Sequence, residues 1–315
     1  MYIHAKKVMK ARRFRKEHCN HVYQRTLNGF NIFYDINDYL VYYTIFSIAA
    51  LKYGVSVQGL CLMIDHIHML VTTKSKSVLS EFVSYVTSIF VREYNSSIGR
   101  VGSLFEPRFG SAPKSDRKRL LSAIIYLANN PVERKLCSMA EQYRWNFIAY
   151  LNSDHPYSKN IPRYRLPYKL RKAMSVVDAM RVECRILNYA VLNQMMCGLT
   201  LEEKNQLIDY IIVKYSVLET ELPVKYFSSY AEMLTAMHST TGSEYDIKED
   251  FTGISDVVYR DFIKILRTRG TGTMRESLVL PQESRWSIAQ ELLSKTSAPV
   301  WQIAKFLHLH CEVSK

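Results

Sequence analysis

Long apolar runs are missing from this chain. The nearest, Tyr42–Leu51, is about half the roughly 18 residues that a membrane-spanning helix requires, so no membrane segment is expected. Paired cysteines are missing too: Cys19, Cys61, Cys137, Cys184, Cys197 and Cys311 are widely scattered and form no CxxC pair. Such spacing argues against a zinc-finger layout or a disulfide framework and fits reduced cytosolic thiols. Met1–Lys16 is basic but has no apolar core, so it is not expected to be a secretory signal. No internal repeat or low-complexity tract is present. Acidic residues are the scarce charge, 29 Asp and Glu against 42 Lys and Arg, for a formal net charge of +13. That balance favours a polyanionic partner, either nucleic acid or an anionic membrane surface. With 48% hydrophobic and 23% charged residues, the 315-residue chain has the composition of a globular protein and room for one large domain or two ordinary ones.

The bases come in blocks. Met1–Arg25 holds eight Lys and Arg, Arg12 and Arg13 among them, against Glu17 alone. Arg92–Lys135 holds nine bases to four acids, including the run Lys114-Ser115-Asp116-Arg117-Lys118-Arg119, and Lys159–Lys172 holds six bases and no acid. Each block is either a solvated face or part of a phosphate-binding surface.

Hydrophobic periodicity divides the first half into short elements. His18–Gln24, Val55–Met63 and Ile67–Thr73 read as strands, with a turn at Asn28-Gly29 and a break at Asp65. Helical spacing runs over Asp35–Lys52, with Asp35 or Asn37 as N-cap, over Val78–Asn95, and over Arg117–Asn130, capped by Asp116 and stopped or restarted by Pro131. Between the last two helices lies a loop rich in Gly and Ser, containing Leu104–Gly110. This order predicts an α+β, ferredoxin-like antiparallel sheet with helices on one face. The prolines at 156, 162 and 167 mark a domain exit, giving domains of 1–160 and 161–315. The second is mostly α-helical, with helices expected over Val176–Met196, Leu201–Tyr215, Tyr226–Met237, Ser255–Thr268 and Ser284–Lys295.

Two local patterns can carry chemistry. In Asp65-His66-Ile67-His68 on a strand, residues i and i+2 share a face, so His66 and His68 present two imidazoles side by side. Two imidazoles can hold a divalent metal, but one strand cannot complete the coordination, and an incidental pair reads the same way. In Tyr126-Leu127-Ala128-Asn129-Asn130-Pro131-Val132, Tyr126 and Asn130 lie four apart on one helical face. A phenol beside an amide fits a nucleophile with a cation ligand; it equally fits a core tyrosine before a helix-ending Asn-Pro.

Taken in order, five segments resemble one family, the single-tyrosine HUH endonuclease transposases, in the branch of REP-associated tyrosine transposases. Leu62–Val71 is similar to the family's metal strand, and Leu104–Phe109 to its Trp-Gln-x-Arg-Phe-type segment. Tyr126–Val132 is similar to its Tyr-Ile-x-x-Asn-Pro-Val helix end, and Tyr143–Asn146 to its Tyr-x-Trp-Ser. The early stretch Gln24–Tyr39 is similar as well, so the resemblance covers about residues 18–150. It implies that Tyr126 is a covalent nucleophile, that His66, His68 and Asn130 bind Mg2+ or Mn2+, and that single-stranded or hairpin DNA is cleaved and rejoined through a 5′-phosphotyrosyl bond. It also implies a cytoplasmic, nucleoid-associated location in a bacterial cell, no membrane partner, and room for a homodimer. Arg12, Arg13, Arg108, Lys118 and Arg119 are the candidate phosphate contacts, with Phe105, Phe109 and Tyr143 as base-stacking rings. The chain departs from the pattern at Asp65, where the family often has Asn, and at Phe105-Glu106, where it has an aromatic-Gln pair.

Residues 171–315 carry no comparable anchor. Gln302–Leu309 reads either as the first helix of a helix-turn-helix motif, with too little chain after it for a recognition helix, or as a packing helix. Glu244–Asp250 reads as a solvated acidic stretch, and nothing around His238 supports a hydrolase triad. Three functions stay in view: a metal-dependent tyrosine transposase, a domesticated hairpin-binding protein that does not cut, and an unrelated helical nucleic-acid-binding regulator.

Overall fold

In the computed structural model, residues 13–239, 255–268 and 274–310 are described. Among the described residues, four strands, β1 (Asn20–Arg25), β2 (Ser56–Leu62), β3 (His66–Thr72) and β4 (Gly110–Pro113), form one antiparallel sheet in the order β2-β3-β1-β4. With α1 (Ile36–Tyr53) after β1 and α2 (Lys76–Ile98) after β3, the connectivity is ferredoxin-like, as expected. The loop rich in Gly and Ser hides β4. Its Gly-Ser-Ala-Pro sequence has no β-branched or aromatic residue, and it is a strand only because β1 supplies the ladder. Gly110 is required there: a Cβ at this position would fall 2.0 Å from the Tyr23 ring that lies across it.

Alternation along β1 shows which helix lies on which face. Gln24 hydrogen-bonds Thr87 of α2 at 2.9 Å, so Val22 and Gln24 face α2, while His21, Tyr23 and Arg25 face the other way. On that second face lies α3 (Arg117–Glu133), so the helices divide between the two sides rather than sharing one. The apolar face of α3 reaches the sheet through Leu127, which packs over Gly59 of β2.

The remaining helices are α4 (Tyr168–Val182), α5 (Tyr189–Met196), α6 (Leu201–Tyr215), α7 (Leu222–Phe227), α8 (Tyr230–Ser239), α9 (Val258–Thr268), α10 (Gln282–Lys295) and α11 (Val300–Phe306). The single helix expected over 176–196 is two, parted at Cys184 in a left-handed turn. These helices explain α1, which is buried on nearly every side from Asp38 to Ala50. α1 starts in a capping box between Asp35 and Asp38, and its outer surface is covered by α5 and α6. There, the Tyr43 hydroxyl donates to the Ile212 carbonyl at 3.0 Å. α11 buries Ile303, Ala304 and Phe306 and is a packing helix.

Candidate active site

The sequence pairs His66 with His68, and the strand register adds a third imidazole. Tyr23 stands opposite His68 and Arg25 opposite His66, which brings His21, two residues along β1, to the same face. His21 Nε2 lies 3.0 Å from His68 Nδ1. On the other side, His66 Nδ1 lies 2.6 Å from Asp65 Oδ1, a hydrogen bond from imidazole to carboxylate. His66 and His68 therefore each have Nδ1 engaged, by Asp65 and by His21, and Nε2 turned toward Asn130 of α3.

α3 delivers the other two residues. Asp116 caps it by accepting from the Arg119 amide at 2.9 Å, and the helix carries through Pro131 to Glu133. Asn130, fully buried, sits between the imidazoles, its Oδ1 3.3 Å from His66 Nε2 and its Nδ2 3.4 Å from His68 Nε2. One turn earlier, the Tyr126 ring meets His68 edge-on at 5.6 Å between centroids and His21 at 5.9 Å. Tyr126 is only 3% exposed. The alternative tyrosines lie elsewhere: Tyr94 is packed under Arg275, and the Tyr143 hydroxyl donates to the Leu62 carbonyl at 2.8 Å.

The donor set fits a divalent ion. Ligands bound at about 2.1 Å to one ion stand roughly 3.0–3.4 Å apart; His66 Nε2 has that spacing from Asn130 Oδ1, while His68 Nε2 faces the amide nitrogen at 3.4 Å. The third donor is an amide oxygen, and among the described residues no group of three His, Cys, Asp or Glu assembles. Asp65 brings a carboxylate against His66. Burial works against its charge, but Lys305, whose Nζ lies 3.0 Å away, and His66 hold the carboxyl well below the usual range.

α3 is fastened over this cluster at its far end. Asn129 Nδ2 donates to the Met237 carbonyl at 2.8 Å, and Arg134 pairs with Asp256 at 3.8 Å. In Asp256, burial and the nearby Asp65 push the carboxyl up to about 6.

The bases gather at one edge of the sheet. The Arg13 amide donates to the Ser111 carbonyl of β4, Arg108 lies two residues before β4, and Lys118 and Arg119 open α3 just after it. All four are exposed, with Arg119 also paired to Asp116 at 3.3 Å. Arg12 lies outside the described residues. The rings expected to stack on bases do not do so: Phe105, Phe109 and Tyr143 are 2%, 7% and 7% exposed and pack in the core. Sequence reasoning missed His21 and Lys305. Only the strand register reveals the first, and only the packing of α11, some 240 residues beyond Asp65, reveals the second.

Against known proteins, no curated sequence matches. A solved structure of a REP-associated tyrosine transposase bound to a REP hairpin aligns at 13% identity and a TM-score of 0.39, covering 44% of this chain and 81% of its own. Residues 2–130 match the family model described as "Transposase IS200 like". Over that segment the chain is similar to the IS200-like transposases, and the resemblance carried by its motifs is borne out at that level.

Proposed function

We propose that this chain is a metal-dependent tyrosine transposase acting on single-stranded or hairpin DNA. The observation that carries the reading is the convergence of Tyr126 and Asn130 from α3 with His66 and His68 from β3, in a segment similar to IS200-like transposases. Tyr126 is the nucleophile. Its oxygen bonds to phosphorus as the P–O3′ bond breaks, the phenol loses its proton, and the departing 3′-oxygen gains one. The products are a 5′-phosphotyrosyl link and a free 3′-hydroxyl, so a later 3′-hydroxyl can reverse the attack without a nucleotide cofactor. His66, His68 and Asn130 would hold Mg2+ or Mn2+, which supplies positive charge to a phosphate oxygen. Arg13, Arg108, Lys118 and Arg119 neutralise phosphates along the approach, and Arg12 extends the same block.

One observation favours a second reading. Tyr126 is only 3% exposed, so its hydroxyl is closed to a phosphate in this conformation, which suits a hairpin-binding protein that no longer cuts. Incubation with Mn2+ or Mg2+ and an end-labelled hairpin oligonucleotide separates the two. An adduct that survives SDS in the wild type and is absent in Tyr126→Phe supports the transposase. Binding with no adduct at all selects the second reading.

A further inference from the structure

We propose that Lys305, acting through Asp65, is a positioning residue for His66, so that the C-terminal helix α11 completes the metal site of the N-terminal sheet. The inference rests on the proposed metal site and adds to it a residue from outside the segment similar to transposases. Asp65 stands where a neutral amide would make the same hydrogen bond to His66 Nδ1, and as a carboxylate it is costly: its side chain is 11% exposed. A lone buried carboxylate is poorly tolerated unless a cation pairs with it. Lys305 Nζ stands 3.0 Å from Asp65 Oδ2, while Oδ1 is 2.6 Å from His66 Nδ1, so the carboxylate bridges the lysine and the imidazole. Both ends of the bridge are fixed. The Asp65 carbonyl accepts from the Thr26 hydroxyl at 2.8 Å and the Thr26 amide at 3.2 Å. The Lys305 carbonyl accepts from the Asn31 amide at 3.2 Å. The lysine stem crosses Gly29, where a Cβ would come within 3.2 Å of Lys305 Cε and where φ is +67°. Glycine there suits both the turn and the passage of the lysine. A carboxylate holding the far nitrogen of a ligating histidine fixes ring orientation and tautomer, and loss of such support typically weakens metal binding 10- to 100-fold.

The test measures Mn2+ binding to the full chain by titration calorimetry, without DNA. Lys305→Met is expected to weaken Mn2+ binding about 10- to 100-fold, and Lys305→Arg to restore most of it. On the Asp65→Asn background, which needs no cation, Lys305→Met should change affinity by no more than about twofold. His308→Gln, which disturbs the neighbouring His308 contact to the Asn31 carbonyl but not Asp65, should leave affinity unchanged. Lys305→Met that lowers thermal stability while binding Mn2+ like the wild type makes Lys305 merely structural and overturns the inference. Equal losses on both Asp65 backgrounds also overturn it, as does a wild type that binds no Mn2+. The hairpin adduct, measured in parallel, keeps the two readings apart. An adduct with an insensitive Lys305→Met sinks this inference alone, whereas Lys305-dependent Mn2+ binding without an adduct sinks only the cleavage reading.

Discussion

Replacing Arg275 with Met removes a cation from deep inside the protein. Arg275 Nε lies 2.9 Å from Asp38 Oδ1, with the two side chains 4% and 0% exposed. Its guanidinium also lies over the Tyr189 ring at 3.8 Å, and Nη1 donates to Ser97 Oγ at 2.6 Å. The pair joins the short 3-10 turn Met274–Val279 to the start of α1, to α2 and to α5. Without Arg275, Asp38 keeps its hydrogen bonds from the Tyr34 and Asp35 amides and the Tyr189 hydroxyl but has no cation. Breaking a buried pair in this way costs about 3–5 kcal/mol, a large share of the roughly 5–15 kcal/mol that holds a domain folded. The loss should depend on pH. Burial and Asp35 push the Asp38 carboxyl up to about 7 against the pull of Arg275, so removing Arg275 raises it further. A carboxyl raised in the folded state contributes stability at low pH that is lost as pH rises through its folded value. The deficit of the variant should therefore be small near pH 5, grow by about 1.4 kcal/mol per unit above about pH 7 to about 2 kcal/mol at pH 8.5, and approach the full cost of breaking the ionised pair only at higher pH. Urea unfolding followed by circular dichroism at pH 5.5 and pH 8.5 measures both quantities. A loss below about 1 kcal/mol, equal at the two pH values, would refute the buried pair and the integration of the C-terminal helices that it represents.

Two further outcomes are expected. Replacing Arg13, Lys118 and Arg119 together with Gln should flatten the plot of log affinity for a hairpin oligonucleotide against log salt by about 0.7–0.9 for each true phosphate contact. An unchanged slope assigns these exposed bases to solubility instead. His308 is driven by burial down to about 3 while its Nε2–H donates to the Asn31 carbonyl at 2.7 Å. A histidine lowered in the fold gives stability that is complete above its unfolded value near 6.5 and is lost as pH falls toward 3. Between pH 7 and pH 5 the wild type should therefore lose about 2 kcal/mol that His308→Gln does not lose, read from urea midpoints; parallel pH profiles would contradict this.

How much of this was legible in the sequence depended on how local the signal was. α1, α2 and the three longer strands announced themselves through helical spacing, the cap and Gly54 of α1, and β-branched runs, with ends off by one to three residues. β4 did not, because four residues of weak strand propensity become a strand only through pairing with β1. The placement of α3 on the opposite face also had no local signature, since its amphipathic pattern is satisfied by either side of a sheet. Within the site, His66 with His68 and Tyr126 with Asn130 follow from periods of two and four. The departure at Asp65 was visible, but its partner was not, since nothing near Lys305 in the chain marks it as facing a carboxylate. The aromatic residues misled for a related reason: a ring beside basic residues suits a base stack, but Phe105, Phe109 and Tyr143 had a core to fill.

The central claim stands or falls on one covalent bond. The full chain, incubated with Mn2+ and a hairpin oligonucleotide carrying a single-stranded tail, is denatured in SDS, digested with protease and analysed by mass spectrometry. The account predicts a peptide bearing a 5′-phosphotyrosyl nucleotide on Tyr126, absent from Tyr126→Phe and from His66→Ala, while both variants still bind the hairpin, because phosphate contacts come from the lysines and arginines. An adduct that persists in Tyr126→Phe, or one mapped to another tyrosine, would contradict it.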